Sequence, residues 1–505
     1  MITDLLPFLL AITPLALLIF VILIMRVAVH YAVLITLVVT WLIAGWYFGL
    51  PLQALAAASL YGATKGLWPI VIVIFAAIYG YNLMINNGSM GVIKQALASV
   101  SDDQRIQVLI IAWGFGGFLE AVAGYGTAVA IPVGILMALG IPPLKAAVVS
   151  LIANSVPTAF GAVGIPVIML AEQTGLAVQT LSTHIILQLA AFNILLPFVL
   201  VAIIGGGVRA IRGVFGITLV CGIASLLPQY LVARYLGAEL PAFAGSLGGL
   251  IATIILARRR KKTTATEGVP FGQLLKASLI YLFTFVFIVL CSPLFPTIKQ
   301  SLGSVFSLIN FPISSDQQLQ LKIEWLITPG VLILAASLLG AWLQGSRLQA
   351  IAKLFVATLL QLKKSIVAIL AIVAMATVMD KSGMINVIAA TLVATTGIGY
   401  VFISPVIGAL GTFVTGSDTN ANVLFGKLQA TAAQQLGIDP HALAAANTAG
   451  ATGGKMISPQ SIAIAVSASK LDELSGEIMS TTLKYCLLYI ALLGLGIGLY
   501  YTLLV

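Results

Sequence analysis

The chain alternates between apolar runs of about 20 residues and short polar connections. Runs over 5–24, 27–48 and 66–85 open the pattern. A run of this length is sufficient for a transmembrane helix, so the pattern predicts an all-α, polytopic membrane protein with about 12–14 membrane elements. The first run has no basic segment before it, and we therefore predict a first span rather than a cleavable signal.

The second half continues the pattern with more interruptions. Apolar segments lie at about 350–362 and 365–379, separated by Lys363 and Lys364. A long polar connection is predicted at 297–324, between apolar spans. His30 stands alone on an apolar stretch, and we interpret it as a structural histidine rather than a proton relay.

Composition agrees with the membrane prediction. Of 505 residues, 60% are hydrophobic and 8% are charged, whereas a soluble domain carries roughly 25% charged residues. The net charge of +10 is spread over short connections, which is typical of positive cytoplasmic loops. The basic run at 258–262 lacks interleaved aromatic residues, so no nucleic-acid partner is predicted. The three cysteines are scattered, and neither a disulfide framework, a metal site nor a cofactor is expected.

The most polar stretch inside the apolar sequence is 411–422. It contains a carboxylate, Asp418, together with two amides and four hydroxyl side chains. Such a segment is unfavourable in a bilayer unless it lines a wet or protein-lined site. A related segment at 114–127 holds Glu120 and five glycines, which predicts a broken helix or a re-entrant hairpin. We interpret the pair of segments as a transport site.

The two segments belong to an internal repeat. The turn at 139–143 matches the turn at 436–440, and Glu120 and Asp418 precede these turns by similar intervals. Downstream, each half carries a second break, at 152–166 and 447–461, with asparagine, glycine and proline in the same order. Repeats with interrupted helices predict a secondary transporter, and the sequence alone does not decide between inverted and parallel repeats.

We predict three regions along the chain. Residues 1–205 form the first half with repeat 1, with breaks near 114–127 and 152–166. Residues 206–270 form connecting spans and a basic cytoplasmic linker. Residues 271–505 form the second half with repeat 2, with breaks near 411–422 and 447–461.

The buried acidic residues suggest the chemistry. Most of the fifteen acidic residues fall in connections, whereas Glu120 and Asp418 fall inside membrane elements. A carboxylate within the membrane is by default a functional hypothesis, and we expect these two to carry or gate a proton. Structural, hydrogen-bonded carboxylates are the alternative.

A substrate anion has candidate ligands in the second half. Lys455, Ser458 and Gln460 lie at the second break, where free helix amides attract anions. Neutralisation of Asp418 by Lys455 is an equally good interpretation. Asn154 and Asn447 are expected either to contact substrate or to hold the breaks together. No P-loop, hydrolase elbow or metal-binding cluster is present, so we predict no enzyme.

At these residues the sequence resembles the lactate permease family of bacterial transporters, which includes glycolate permeases. The resemblance is carried by motifs in both halves, namely 117–126, 152–157, 160–166, 415–420, 428–431 and 454–463. Val122 and Tyr125 depart from the expected pattern. The resemblance implies proton-coupled symport of a small 2-hydroxy monocarboxylate across the bacterial cytoplasmic membrane, inverted repeats, and kinship with transporters that often form dimers and move as elevators.

The predicted function is thus a proton-coupled symporter of L-lactate or glycolate, with Glu120 and Asp418 in proton coupling. A sodium-coupled carboxylate transporter is the alternative, and an anion channel is a weaker one. The predicted partners are the carboxylate, protons, membrane lipid and a second copy in a homodimer. The predicted substrate-binding residues are Gly124, Tyr125, Thr127, Asn154, Thr415, Ser417, Asn420, Asn447, Lys455, Ser458 and Gln460.

Overall fold

The computed structural model describes residues 5–124, 126–259, 269–313, 318–469 and 475–503. The first part of the chain contains α1 (Leu5–Leu23), α2 (Val29–Trp46), α3 (Leu52–Lys65), α4 (Ile72–Asn86), α5 (Ser89–Ala98), α6 (Gln104–Val108), α7 (Gly116–Val122), α8 (Thr127–Ala138), α9 (Pro143–Ala153), α10 (Ser155–Thr158), α11 (Gly161–Thr174), α12 (Val178–Gly205), α13 (Phe215–Tyr235) and α14 (Pro241–Arg258).

The remaining elements are α15 (Phe271–Ala277), α16 (Leu279–Leu290), α17 (Pro296–Gly303), β1 (Phe306–Pro312), β2 (Gln318–Glu324), α18 (Pro329–Leu343), α19 (Leu348–Lys381), α20 (Met384–Thr396), α21 (Tyr400–Thr415), α22 (Asp418–Leu436), α23 (Pro440–Lys455), α24 (Pro459–Ser469) and α25 (Ser475–Leu503). Two π-helical segments, Gly66–Val71 and Leu109–Phe115, and two 3-10 segments, Val208–Ile211 and Gly397–Gly399, join some of them.

The multi-span helical architecture predicted from the sequence is confirmed. Within the described residues, ten helices are long and apolar enough to cross a membrane. A bent pair, α15 and α16, adds an eleventh if it counts as one span, with a 62° angle at its break. Three shorter apolar helices, α8, α9 and α18, lie among them.

The all-α prediction is wrong at one place. Part of the predicted polar connection 297–324 forms an antiparallel hairpin of β1 and β2, with Phe306 opposite Glu324. Phe311 on β1 meets the ring of Tyr61 on α3 edge-on, with 5.7 Å between the centroids. Alternating polar and apolar residues in Gln318–Glu324 favour a strand, and packing on α3 buries the apolar side.

The described helices pack as two groups. One group contains α1 to α4 with α16, α18, α19 and α20, in which α19 packs along α2, α3 and α4. The other contains α7 to α14 and α21 to α25. Helices α19 and α20 of the first group pack on α22 of the second, so the surface between the groups passes beside Asp418.

All four breaks predicted from the sequence are helix interruptions in the structure. Helix α7 ends at Val122 and α8 begins at Thr127, and Gly416 and Ser417 separate α21 from α22. Non-helical residues 162–164 interrupt α11, and residues 456–458 separate α23 from α24. Most of the predicted linker, residues 260–268, lies outside the described residues, and the three-region division remains a prediction.

Candidate functional site

The first break positions Glu120 on the last turn of α7. Its side chain is buried, with 4% of the residue exposed. Oε1 accepts a hydrogen bond of 3.0 Å from Thr158 Oγ1, whereas Oε2 has no hydrogen-bond partner among the described residues. A Cβ on Gly161 would stand 2.7 Å from Oε1, so only glycine lets the α11 backbone approach this carboxylate. One carboxylate oxygen of Glu120 thus remains available.

The equivalent break in the second half positions Asp418 at the first turn of α22. Gly416 adopts a left-handed conformation with φ of 72° and ends α21, and Ser417 caps α22 by accepting from the Asn420 N–H. Asp418 is 3% exposed. Its Oδ1 accepts a 3.0 Å hydrogen bond from Thr412 Oγ1, and Oδ2 is unpartnered within the described chain. The two carboxylates therefore have matching environments.

The last break brings a cation to this region. Lys455 ends α23, and its Nζ donates a 2.7 Å hydrogen bond to the carbonyl oxygen of Gly416. The Lys455 ammonium group also attracts the Asp418 carboxylate, whereas the Glu120 carboxylate repels it. Gln460, on the first turn of α24, packs against Gly416. A side chain at position 416 would collide with Gln460. Lys455 and Gln460 thereby join the two breaks of the second half.

The four breaks line one cavity of about 220 Å³. A single water molecule needs only about 10–15 Å³ of such space, so the cavity accommodates a small solute. The remaining wall comes from α2, α4 and α19 of the other helix group. Polar or charged side chains and glycines at the cavity are His30, Glu120, Gly124, Thr158, Gly161, Lys364, Ser365, Thr415, Gly416, Ser417, Asp418, Thr419, Asn420, Lys455 and Gln460.

The structure brings eight of the predicted site residues to this cavity, namely Glu120, Gly124, Thr415, Ser417, Asp418, Asn420, Lys455 and Gln460. Four others do not line it. Thr127 bonds the carbonyl of Gly124, and Ser458 caps α24 and bonds Ser461. The remaining two are Asn154 and Asn447. Tyr125 lies outside the described residues.

Asn447 instead holds neighbouring helices together. Its Nδ2 donates to Asn422 Oδ1 at 3.0 Å, and its Oδ1 accepts from Gln429 Nε2 at 3.4 Å. Asn422 in turn donates a 2.9 Å bond to the carbonyl oxygen of Pro166, in the break of the first half. Asn447 was predicted either to contact substrate or to hold the breaks together. Its observed hydrogen bonds are contacts between helices.

The predicted site residues did not include Lys364, Ser365 and Thr158 of the cavity, and His30 was assigned a different role. Lys364 and Ser365 come from α19, which is one continuous helix of 34 residues and not two apolar segments. A lysine pair inside an otherwise apolar stretch was the available signal, since membrane-embedded charges mark functional positions. Thr158 had no distinguishing signal. His30, predicted to be structural, lines the cavity on α2.

The charges at the cavity balance. Two carboxylates, Glu120 and Asp418, face two cations, Lys364 and Lys455. Glu120 and Asp418 are buried, Lys455 is half-buried and Lys364 is exposed. Buried charges among apolar helices are retained where they bind or move ions and polar solutes. Broken helices that meet at a buried polar cavity, inside a bundle of apolar spans, define a multi-pass membrane transport protein.

Comparison with known proteins identifies the family. The model of the L-lactate permease family matches residues 7–504. The L-lactate permease of Streptococcus iniae is 47% identical over 442 residues, covering 86% of this chain and 93% of the relative. The glycolate permease GlcA of Escherichia coli is 34% identical, covering 94% of this chain and 91% of the relative. The chain belongs to the L-lactate permease family.

A more distant likeness is seen to a solved structure. The YdaH transporter of Alcanivorax borkumensis is 16% identical with a TM-score of 0.45, covering 88% of this chain and 87% of the other. That likeness is too remote for any argument about mechanism. The family membership itself establishes a permease rather than an enzyme, and a multi-pass protein of the bacterial cytoplasmic membrane.

Proposed function

We propose that this permease is a proton-coupled symporter of L-lactate or a similar small 2-hydroxy monocarboxylate such as glycolate. The observation that carries the proposal is the cavity lined by two buried carboxylates and two lysines, in which each carboxylate has one oxygen without a hydrogen-bond partner among the described residues. Relatives named as L-lactate and glycolate permeases support this substrate class.

Charge balance links the proton to the substrate. With Glu120 and Asp418 ionised, the two lysines already neutralise the cavity. A lactate anion adds one negative charge, which is unfavourable in a buried site. A proton on either carboxylate restores neutrality, so the anion and one proton enter together. Protonation is accessible because Oε2 of Glu120 and Oδ2 of Asp418 hold no competing hydrogen bond within the described chain.

The substrate carboxylate has a natural position near the start of α22. Helix amides at an N-terminus attract anions, and Lys455 adds a positive charge beside them. Lys455 is anchored on the Gly416 carbonyl oxygen and not on a carboxylate, so its charge remains available to a ligand. Gln460, Ser417 and Thr419 offer hydrogen-bonding groups for the 2-hydroxyl.

The arrangement of α12 supports inverted repeats. In the first half of α12, Gln188 donates a 2.9 Å bond to Ala442 O, beside the second-half turn at 436–440. At its end, the Ile204 carbonyl accepts a 3.1 Å bond from Lys145, beside the first-half turn at 139–143. Because Gln188 and Ile204 are about 24 Å apart along α12, the two matching turns contact α12 at well-separated levels.

Packing between the halves supports a pseudo-two-fold relation. Helix α8 of the first half packs on α24 of the second, and α22 of the second packs on α11 of the first. Such reciprocal contacts are what a two-fold axis generates. The cavity lies between the two helix groups, so sliding of one group against the other would expose it alternately to the two sides of the membrane.

The deciding experiment is uptake of labelled L-lactate by purified protein in liposomes. We expect accumulation when the outside is acidic, and dissipation of that accumulation by a protonophore. Accumulation that follows a sodium gradient and ignores pH would identify the sodium-coupled alternative. Equilibration without accumulation under either gradient would identify a channel. Competition by unlabelled glycolate, pyruvate and acetate then defines the requirement for the 2-hydroxyl group.

A further inference from the structure

A stripe of buried polar residues begins at Thr158, which lines the cavity, and continues through residues that do not line it. Ser150, Asn154 and Thr158 are four residues apart along α9 and α10, so they lie on one face of the nearly continuous helix. Thr158 bonds Glu120 directly, at 3.0 Å. The stripe spans about 12 Å from Thr158 to Ser150.

Two of the three side chains in this stripe are buried without a hydrogen-bond partner within the described chain. Asn154 is 2% exposed and Ser150 is 0% exposed. Both polar atoms of Asn154 and the hydroxyl of Ser150 find no hydrogen-bond partner among the described residues. An unsatisfied buried amide is unfavourable by about 1–3 kcal/mol, which water would relieve at a polar site. The same condition holds for Oε2 of Glu120.

The second repeat lacks the stripe. Leu443 and Ala451 occupy the positions that match Ser150 and Thr158. The matching asparagine, Asn447, is fully occupied by Asn422 and Gln429. Among the described residues, the asparagine without a hydrogen-bond partner is therefore the one in the half that contains Glu120.

The outer end of the stripe points to the basic face of the protein. Ser150 precedes Asn154 by one turn and lies five residues after Lys145, whose Nζ bonds the end of α12. Arg105 bonds the Ala210 carbonyl at the same end. Cations concentrate on the cytoplasmic side of membrane proteins, so this end of α9 faces the cytoplasm.

We propose that Ser150 and Asn154 hold a short file of water molecules that carries the proton between Glu120 and the cytoplasm, separately from the substrate cavity. The inference rests on the proposed proton coupling. In the step itself, the O–H bond at Oε2 of Glu120 breaks and its electron pair stays on the carboxylate. The proton passes to the first water, and each water releases one proton to the next. On the cavity side of Glu120, the nearby charged groups are Asp418 and Lys455, which interact electrostatically with each other.

The test separates proton flux from substrate exchange. Purified wild-type protein and the variants Asn154→Leu and Ser150→Ala are reconstituted in liposomes with an entrapped pH-sensitive dye. Lactate-driven proton flux reports the coupled cycle. Exchange of labelled for unlabelled lactate at equal concentrations reports binding and movement without net proton release.

For Asn154→Leu we expect proton flux to fall at least about tenfold, equivalent to about 1.4 kcal/mol in the barrier, while exchange stays within about twofold. Ser150→Ala is expected to show the same split to a smaller extent, and it decides the matter if Asn154→Leu does not fold. Ser182→Ala is the matched control, because Ser182 is an equally buried and unpartnered hydroxyl near the other end of α12, and both fluxes should be unchanged.

Three results would overturn the water file. Equal loss of proton flux and exchange would make Asn154 a substrate ligand or a packing residue. Unchanged proton flux in both stripe variants would show that the proton takes another route. Lactate transport by wild-type protein without any proton flux would contradict proton coupling, and therefore also the water file. The wild-type measurement alone reveals this outcome, before any variant is tested.

Discussion

At the scale of single residues, Asp418 and Glu120 are similar in environment but differ in position along their helices. Each is buried, each accepts one hydroxyl hydrogen bond, and each has one unpartnered oxygen within the described chain. Glu120 lies at the end of α7, whereas Asp418 lies at the start of α22, where the helix dipole favours negative charge. Asp418 is therefore the carboxylate more closely associated with the anion-binding end of a helix.

We predict that Asp418→Asn abolishes accumulation of lactate driven by a pH gradient, because the amide has nearly the same shape but no exchangeable carboxyl proton. Uptake into liposomes at a fixed inward proton gradient measures this. The matched control is Thr412→Val, which keeps the carboxylate and removes one hydrogen bond, worth about 1 kcal/mol. We expect this control to slow accumulation roughly fivefold. Accumulation by Asp418→Asn at the wild-type level would exclude Asp418 from coupling.

At the scale of helices, the contact between α21 and α23 depends on glycine. Gly450 on α23 packs against the carbonyl oxygen of Pro405 on α21. A Cβ at position 450 would collide with this oxygen. Gly454 and Ala409 repeat this contact one turn later. Close backbone approach through small residues is a common packing mode in membrane helices. The two breaks of the second half are thereby fixed to each other through their preceding helices.

We predict that Gly450→Ala destabilises the protein by about 1–3 kcal/mol, since the methyl group forces the backbones of α21 and α23 apart. Thermal unfolding in detergent, followed by size-exclusion chromatography, measures the loss. Gly134→Ala on α8 is the control, because its added Cβ would have no atom of a neighbouring helix within 4 Å among the described residues. We expect the control to be neutral or slightly stabilising, in line with helix propensity. Equal stability of the two variants would contradict the packing argument.

The start of α23 carries an ionic cap. Asp439 accepts from the His441 N–H at 3.0 Å, and its carboxylate lies 3.4 Å from His184 Nε2 and 2.7 Å from His441 Nδ1. Burial acts to raise the pKa of Asp439, but the hydrogen bonds and charges of the two histidines outweigh it and hold the pKa below its ordinary value. The carboxylate thus ties α12 to α23.

The sign of the pH effect follows from the lowered pKa. The stabilisation by Asp439 is present above the ordinary aspartate pKa of about 3.9 and is lost as the pH falls through the lower folded-state value. We predict that Asp439→Asn lowers the thermal midpoint at pH 6, and that the difference from wild type disappears as the pH falls below about 4. Asp439→Ala should be worse at every pH, because it also removes the cap.

The sequence predicted the breaks well and their surroundings less well. Glycine, proline and polar residues mark an interrupted helix locally, so all four breaks could be located from the pattern. Lys364 was missed because its approach to the cavity depends on how α19 packs, which no local pattern encodes. Asn154 and Asn447 look equivalent in sequence, and only the three-dimensional structure distinguishes the unpartnered amide from the bonded one.

At the scale of the whole molecule, inverted repeats would place the two matching turns, 139–143 and 436–440, on opposite sides of the membrane. Ala138 and Gln435 occupy matching, exposed positions just before them. If the repeats are inverted, Ala138→Cys should react with a membrane-impermeant thiol reagent from the cytoplasm and Gln435→Cys from outside. Inside-out and right-side-out vesicles measure this. Replacement of Cys291 by Ser reduces the background, since Cys221 and Cys486 are buried. Labelling of both positions from one side would contradict inversion.

The reciprocal packing of α8 on α24 and of α11 on α22 bears on the ancestry of the protein. Each half packs one of its interrupted helices against the other half. An ancestral chain of half this length would have made such contacts by pairing with an identical chain. If the halves arose in this way, gene duplication and fusion would have freed the two copies to diverge into a glycine-rich break around Glu120 and a hydroxyl- and amide-rich break around Asp418.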